Sequence, residues 1–433
     1  MFHRFRQATR ALRSRNLRLF FAGQATSAIG SWMQHVAMGW LAYRLTGSTV
    51  ALGFIAFAGQ FPSVVLSPLA GVLADRVSRY RMVVASQLLG MAQAAVTAGL
   101  VVTGVVQVWH LYVLAAVLGI AKGVDIPARQ ALLVRLVDER EDLPNAIALN
   151  SSIFNAARII GAGVAGLLIA GLGEGPVFVI NAMSYVAVLA ALFSLRLKEP
   201  IPTVKGSVLN NLVEGIRYAR SFKPLGGALL LLLGISIVGM PYSVLLPAFA
   251  SDVLGGGSET LGALTGATGV GALAGALHLA SRGSVVGLGR LISQTTGVFG
   301  ISLVAFALSR SPILSGAILV VTGASLLTTT ASINTVLQTL VDEEKRGRIM
   351  SLYTMAMLGG SSLGGVLGGA IARTVGAPIA VAAAGLGCMI LSAWFTRLLP
   401  GLRAMVRPVY QQMGILEEVA TGLGKATNVR PQG

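Results

Sequence analysis

About twelve stretches of 20 or so mostly apolar residues follow one another along this chain, and a soluble fold has no interior large enough for them. A helix rises 1.5 Å per residue, so ~20 apolar residues cross the ~30 Å hydrocarbon core of a bilayer. The runs lie at 17–43, 49–73, 82–104, 109–136, 144–171, 175–196, 225–250, 259–281, 290–309, 312–340, 349–373 and 376–397. Hydrocarbon offers no partner for backbone N–H and C=O groups, so each run is expected to be a helix. The expected fold class is all-α, a membrane protein with twelve transmembrane helices. Composition agrees: 54% of residues are hydrophobic and 11% charged, where a soluble domain has roughly 25% charged. The single Cys388 excludes a disulfide framework.

The net charge of +17 is distributed as topology rather than as a nucleic-acid surface. With the N-terminus inside, cytoplasmic segments hold 27 of the 33 Lys and Arg residues. The outer loops keep Arg44, Arg310 and Arg373, and Lys122, Arg129 and Arg158 fall inside spans. That is the positive-inside bias. It places both termini in the cytoplasm and the chain in the plasma (inner) membrane, touching anionic lipid and no nucleic acid. The first apolar run is too long for a signal-peptide core and is read as retained. A very short loop, Gly71-Val72-Leu73-Ala74-Asp75-Arg76-Val77-Ser78-Arg79-Tyr80-Arg81, fixes the cytoplasmic side between the second and third spans.

The chain also repeats itself. A shift of 204 residues carries Leu136-Val137-Asp138-Glu139 onto Leu340-Val341-Asp342-Glu343, and six of the eighteen glycines in residues 1–175 onto glycines. Six helices plus six, related by a parallel repeat, is the build of many secondary transporters. The expected domains are an N-terminal six-helix bundle at 1–200, a cytoplasmic linker at 201–224, a second bundle at 225–400 and a cytoplasmic tail at 401–433. Within the linker, residues 208–218 have helical apolar spacing, as suits a helix lying on the membrane face.

Gly71 to Arg81 resembles the loop 2–3 signature of the major facilitator superfamily, and the likeness covers about residues 16–400. Trp40-Leu41-Ala42-Tyr43-Arg44-Leu45-Thr46-Gly47-Ser48, Asp125-Ile126-Pro127-Ala128-Arg129-Gln130, Asn145-Ala146-Ile147-Ala148-Leu149-Asn150-Ser151 and Arg346-Gly347-Arg348-Ile349-Met350-Ser351-Leu352-Tyr353 resemble the branch that includes the enterobactin exporter and macrolide efflux pumps. The resemblance implies the two-bundle major facilitator fold in a monomer. It implies alternating-access export of a small molecule such as a drug or siderophore, driven by an ion gradient, protons first. A rival within the same superfamily is a lysophospholipid flippase, which has a similar Pro-Ala-Lys/Arg region on its fourth helix. In the superfamily the loop Asp docks on the start of the eleventh helix, which implies a gate built from Gly71, Asp75, Arg76, Arg79 and Arg348. The other reading of these arginines is orientation alone.

Charge inside the spans is rare and costs ~2.5–3.5 kcal/mol per group at a helix centre. Asp125 is the one carboxylate well inside a span, and Arg158 on the next span lies at similar depth, so the two are able to pair. Lys122 and Arg129, at i−3 and i+4, are rival partners on the same helical face. Asp125 is read either as a proton-exchanging carboxylate or as one half of a static ion pair. Candidate cargo-facing stripes run along the first span, with Gln24, Ser27, Ser31, Gln34 and Met38 beside His35, and along the tenth, with Thr322, Ser325, Thr329 and Ser332. In the superfamily the first and tenth helices line the central cavity. The alternative is that these hydroxyls and amides bond across helix interfaces. Glycines at Gly161, Gly163 and Gly166, at Gly262 and Gly266, and at Gly360, Gly364 and Gly368 mark close helix packing. The first of these clusters loosely resembles the superfamily's antiporter motif, with Ala162 where relatives often have Pro.

Enzyme chemistry finds no support. The sequence has no Gly-x-x-x-x-Gly-Lys-Ser/Thr loop for a nucleotide, and His3, His35, His110 and His278 are scattered without metal-ligand spacing. No cofactor and no metal are expected.

Overall fold

The computed structural model describes residues 10–73, 77–137, 139–195, 208–282 and 284–412. Ala74, Asp75 and Arg76 of the loop motif, residues 201–207 of the linker and the tail from 413 lie outside them. Every regular element is helical. Helices α1 Arg15–Thr46, α2 Thr49–Leu73, α3 Arg79–Val102, α4 Val108–Leu136, α5 Leu143–Leu172 and α6 Gly175–Phe193 make up the first half of the chain. A short helix, α7 Val208–Ser221, leads into α8 Lys223–Val238, α9 Ser258–Ala280, α10 Leu288–Leu308, α11 Pro312–Leu340, α12 Glu343–Thr354, α13 Gly360–Val375 and α14 Ala377–Gln412. Among the described residues, eleven segments are long and apolar enough to cross a membrane. The first expected span is the one not among them. α1 has 32 residues, but Gln24, Gln34 and His35 interrupt its apolar run.

Those amides are accommodated by bonds to neighbouring helices. Gln34 Nε2 donates to Gln93 Oε1 of α3 at 2.9 Å and Gln34 Oε1 accepts from Asn181 Nδ2 of α6 at 2.6 Å. In a membrane such a bond stabilises by about 0.6 kcal/mol on average, so three helices are tied at a modest cost in apolarity. Pro127 inside α4 has no N–H for the carbonyl of Gly123. Ser67 Oγ of α2 donates to that oxygen at 3.3 Å, which leaves the proline tolerable in mid-helix.

Three sequence expectations are corrected. The seventh run is continuous helix only to Val238; Pro241 and Pro247 then turn the chain through Met240–Ser243, Leu246–Ala248 and a wide turn at Phe249–Val253. The eleventh run is divided by a wide turn at Met355–Gly359, where Gly359 and Gly360 follow one another. The last helix continues through Pro400 to Gln412, so the first residues of the expected tail are helical.

α1 packs on α5 and α6, α2 on α4, and α3 on α4 and α6; α9 packs on α11, α10 on α11 and α14, and α8 on α13 and α14. Two seams join the early helices to the late ones, α5 against α9 and α2 against α13. The α5–α9 seam exists because both sides lack side chains: a Cβ on Gly262 would lie 2.7 Å from Ala162 O, and one on Gly166 would lie 2.8 Å from Ser258 O. Both ends of α4 differ by 204 residues from those of α11, the offset of the internal repeat.

Candidate functional site

Asp125 is buried on α4 and fully engaged within the first half. Its Oδ1 accepts from Gln87 Nε2 at 2.8 Å and Ser86 Oγ at 3.1 Å, both on α3, and its Oδ2 faces Arg129 Nε at 3.2 Å. The carboxylate thus takes the partner one helical turn along its own helix. Arg158 makes no ion pair with it, and its guanidinium lies over Trp32 of α1 instead.

Arg158 stands over the ring of Trp32, 5.7 Å from its centroid. Its Nη2 meets Asn155 Oδ1 at 3.4 Å, and its buried Nε has no hydrogen-bond partner. Tyr242, from the irregular stretch after α8, is close enough to act on it electrostatically. Trp32 also meets His35 and Phe154 edge-on, at 5.5 and 5.9 Å between centroids. His35 in turn is within electrostatic reach of Lys122. His35 lies about two-thirds of the way along α1 and Lys122 halfway along α4, yet both are exposed. The structure therefore gathers His35 and Arg158 around Trp32, with Asp125 and Arg129 paired off. Among the described residues neither Lys122 nor Arg158 has an ion-pair partner.

One end of the seams is tightly bonded. Ser258 Oγ donates to Gly166 O at 3.1 Å, Thr49 Oγ1 to Gly369 O at 2.8 Å, and the Tyr43 hydroxyl to the Asp252 carboxylate. At the same end Arg44 Nε pairs with Glu174 Oε1 at 2.7 Å.

The polar stripes point elsewhere than the sequence indicated. Gln24, Ser27 and Gln34 are buried, and Gly30 of the same face would put a Cβ 2.6 Å from Asn181 Oδ1 of α6. Ser31 bonds Tyr185 of α6, and Met38 joins the buried apolar core. In α11, Thr322 Oγ1 donates to Ser302 Oγ at 2.9 Å and Thr329 Oγ1 meets Thr295 Oγ1 at 2.7 Å, both on α10. Ser325 bonds the carbonyl of Val321, within its own helix. Gln34, Thr322 and Thr329 are thus bonded from helix to helix, the second of the two readings of these stripes, while Ser332 Oγ is buried without a hydrogen-bond partner.

Of the gate residues, Gly71 lies in the last turn of α2 and Arg79 opens α3, while Asp75 and Arg76 lie outside the described residues. Arg348 Nη1 is held by Glu214 Oε2 of α7 at 2.6 Å. Next to it Lys345 lies 4.4 Å from the centre of the Tyr218 ring. Burial, then the Asp342 carboxylate, holds the Tyr218 hydroxyl above its usual range. α7 is thus docked on α12, a contact that no motif announced. Trp32, Phe154, Tyr242, Asp252 and Glu214 were likewise missed, since each has meaning only through a neighbour distant in sequence.

The profile of the transmembrane secretion effectors matches residues 7–408. The multidrug efflux pump Tap of Mycolicibacterium fortuitum is 26% identical over 408 residues, covering 92% of this chain and 97% of its own. The staphyloferrin A transporter of Staphylococcus aureus is 24% identical over 339 residues, covering 78% of this chain and 84% of its own. A crystallised POT family transporter shares the fold with a TM-score of 0.71 at 12% identity, over 90% of this chain and 97% of that one. These apolar helices and relatives make the chain an integral membrane protein and not an enzyme, and it belongs to the transmembrane secretion effector family of major facilitator transporters.

Proposed function

We propose that this chain is a secondary active exporter of a small molecule, working by alternating access between two six-helix bundles, α1–α6 and α8–α14. α1 is then the twelfth span. The observation that carries this reading is the asymmetry of the seams. They are bonded at the Thr49, Ser258 and Tyr43 end, while Lys122, midway along α4, and Ser151, near the start of α5, remain exposed. A passage sealed at one end and reachable from the other is one half of an alternating-access cycle. The positive-inside bias supports a plasma-membrane orientation with both termini cytoplasmic and the bonded end outside. Asp125 is the deep carboxylate available to a proton, Asp75 is assigned to the start of α12 as an inner latch, and the protein works as a monomer among anionic lipids. Relatives named for drugs and a siderophore favour small-molecule cargo over a lysophospholipid.

The test is accumulation in cells stripped of their own efflux pumps. Expression should lower cellular levels of at least one macrolide, dye or siderophore, and a proton ionophore should restore them. Unchanged accumulation across the whole panel contradicts the reading.

A further inference from the structure

We infer that the passage binds the anionic group of an aromatic or ring-bearing cargo at Arg158, beside the Trp32 ring. The inference rests on the transport reading for its route but on the geometry for its chemistry. Among the described residues the deep charges are Lys122, Arg129, Arg158 and Asp125, and the one carboxylate is already bound to Arg129. Two cations are left without a counter-charge. A charge in the membrane interior is retained where it faces a partner or a wet cavity, and marks a pathway.

Arg158 has the hydrogen-bonding capacity to receive such a group. A guanidinium carries five N–H donors; one of them reaches Asn155, and the buried Nε has no acceptor. One face of the group is covered by Trp32, which fixes its plane while leaving its edge for an anion. A carboxylate fits that edge with two parallel bonds. Trp32 and Phe154, 5.9 Å apart, form the adjoining apolar wall, half-open at Phe154, which is 48% exposed. Tyr242 and Gly269 reach Arg158 from the late half of the chain, so an anion here lies where the two halves meet. A cationic cargo would face Arg158 with the one deep carboxylate already paired to Arg129.

The test uses the full chain in lipid nanodiscs and three probes with one ring system: dansylglycine (anionic), dansylamide (neutral) and dansylcadaverine (cationic). With Trp40, Trp109 and Trp394 replaced by Phe, energy transfer from Trp32 to the dansyl group reports binding beside it. Dansylglycine should bind tightest and dansylcadaverine weakest, and added salt should weaken dansylglycine alone. Arg158→Gln should weaken dansylglycine roughly tenfold or more, with dansylamide unchanged. Arg158→Lys, which keeps charge but not the fork, should lie between. Equal binding of the three probes, or unchanged dansylglycine affinity in Arg158→Gln, overturns the inference. If Arg158→Gln does not fold, Arg158→Lys decides: unchanged dansylglycine affinity there overturns the inference. Dansylglycine binding in a protein that moves no cargo in proteoliposomes keeps the site and removes the export reading. Active export of cations with no preference for dansylglycine does the reverse.

Discussion

The Tyr43 hydroxyl donates a hydrogen bond to the Asp252 carboxylate, joining α1 to the turn after α8 across 209 residues of chain. A hydrogen bond to a charged group stabilises by about 1.5–3 kcal/mol, more than either neutral bond beside it. In an alternating-access cycle it has to break each time this end opens. Tyr43→Phe keeps the ring in the core and removes only the bond. The closed form should lose roughly tenfold or more in population relative to the open form. Distance measurement between spin labels on α2 and α13 at this end should show a broader, longer distribution. A distribution identical to that of the parent protein argues against a latch.

Asp125 has a structural partner in Arg129 and a possible working partner in a proton, and the two roles separate experimentally. Arg129→Gln leaves a buried carboxylate with two neutral donors and should cost about 3–5 kcal/mol of stability, lowering the melting temperature clearly. Asp125→Asn with Arg129→Gln should recover most of that loss, since no unpaired charge remains. If the carboxylate carries protons, this double variant should be well folded yet show downhill exchange without gradient-driven transport. Gradient-driven transport in the folded double variant leaves Asp125 a structural group only.

Glu214 and Arg348 are a different kind of pair. Their side chains are 49% and 33% exposed, where an ion pair is worth about 0.2–1 kcal/mol and salt screens it. Glu214→Gln should therefore change thermal stability by less than about 1 kcal/mol in a double-mutant cycle with Arg348→Gln. Its effect should appear instead in transport rate, if α7 must leave α12 when the inner end closes. A coupling of several kcal/mol shows that the linker helix is a fixed strut.

The helices were legible in the sequence because apolar length alone decides a span, and the 204-residue offset of α4 and α11 was visible in Leu136 and Leu340. The depth of Asp125, Lys122, Arg129 and Arg158 was legible for the same reason. Partner choice was not. Depth allows Asp125 to meet Arg158, but the rotation of α5 about its axis decides the matter, and that rotation is set by Gly161 against α1 and Gly166 against α9. The α1 stripe had the correct period and the wrong destination. Gln34 lies one residue from His35, about 100° around a helix, and this separates a bond inside one half from the passage. Tyr43 and Asp252 carry no pattern at all until the fold brings them together.

The central claim is that opening one end closes the other. Ser258 is 3% exposed beneath Gly166 at the bonded end, and Ser151 is exposed near the start of α5 at the other. With the buried Cys388 replaced by Ala, Ser258→Cys and Ser151→Cys serve as reporters to a membrane-impermeant maleimide. The measurement is the labelling rate of each, from the outside for Ser258→Cys and the inside for Ser151→Cys, with and without cargo, a proton gradient and Tyr43→Phe. The account predicts that every condition that speeds labelling at 258 slows it at 151. Rates that rise and fall together, or labelling of 258 from the inside, contradict it.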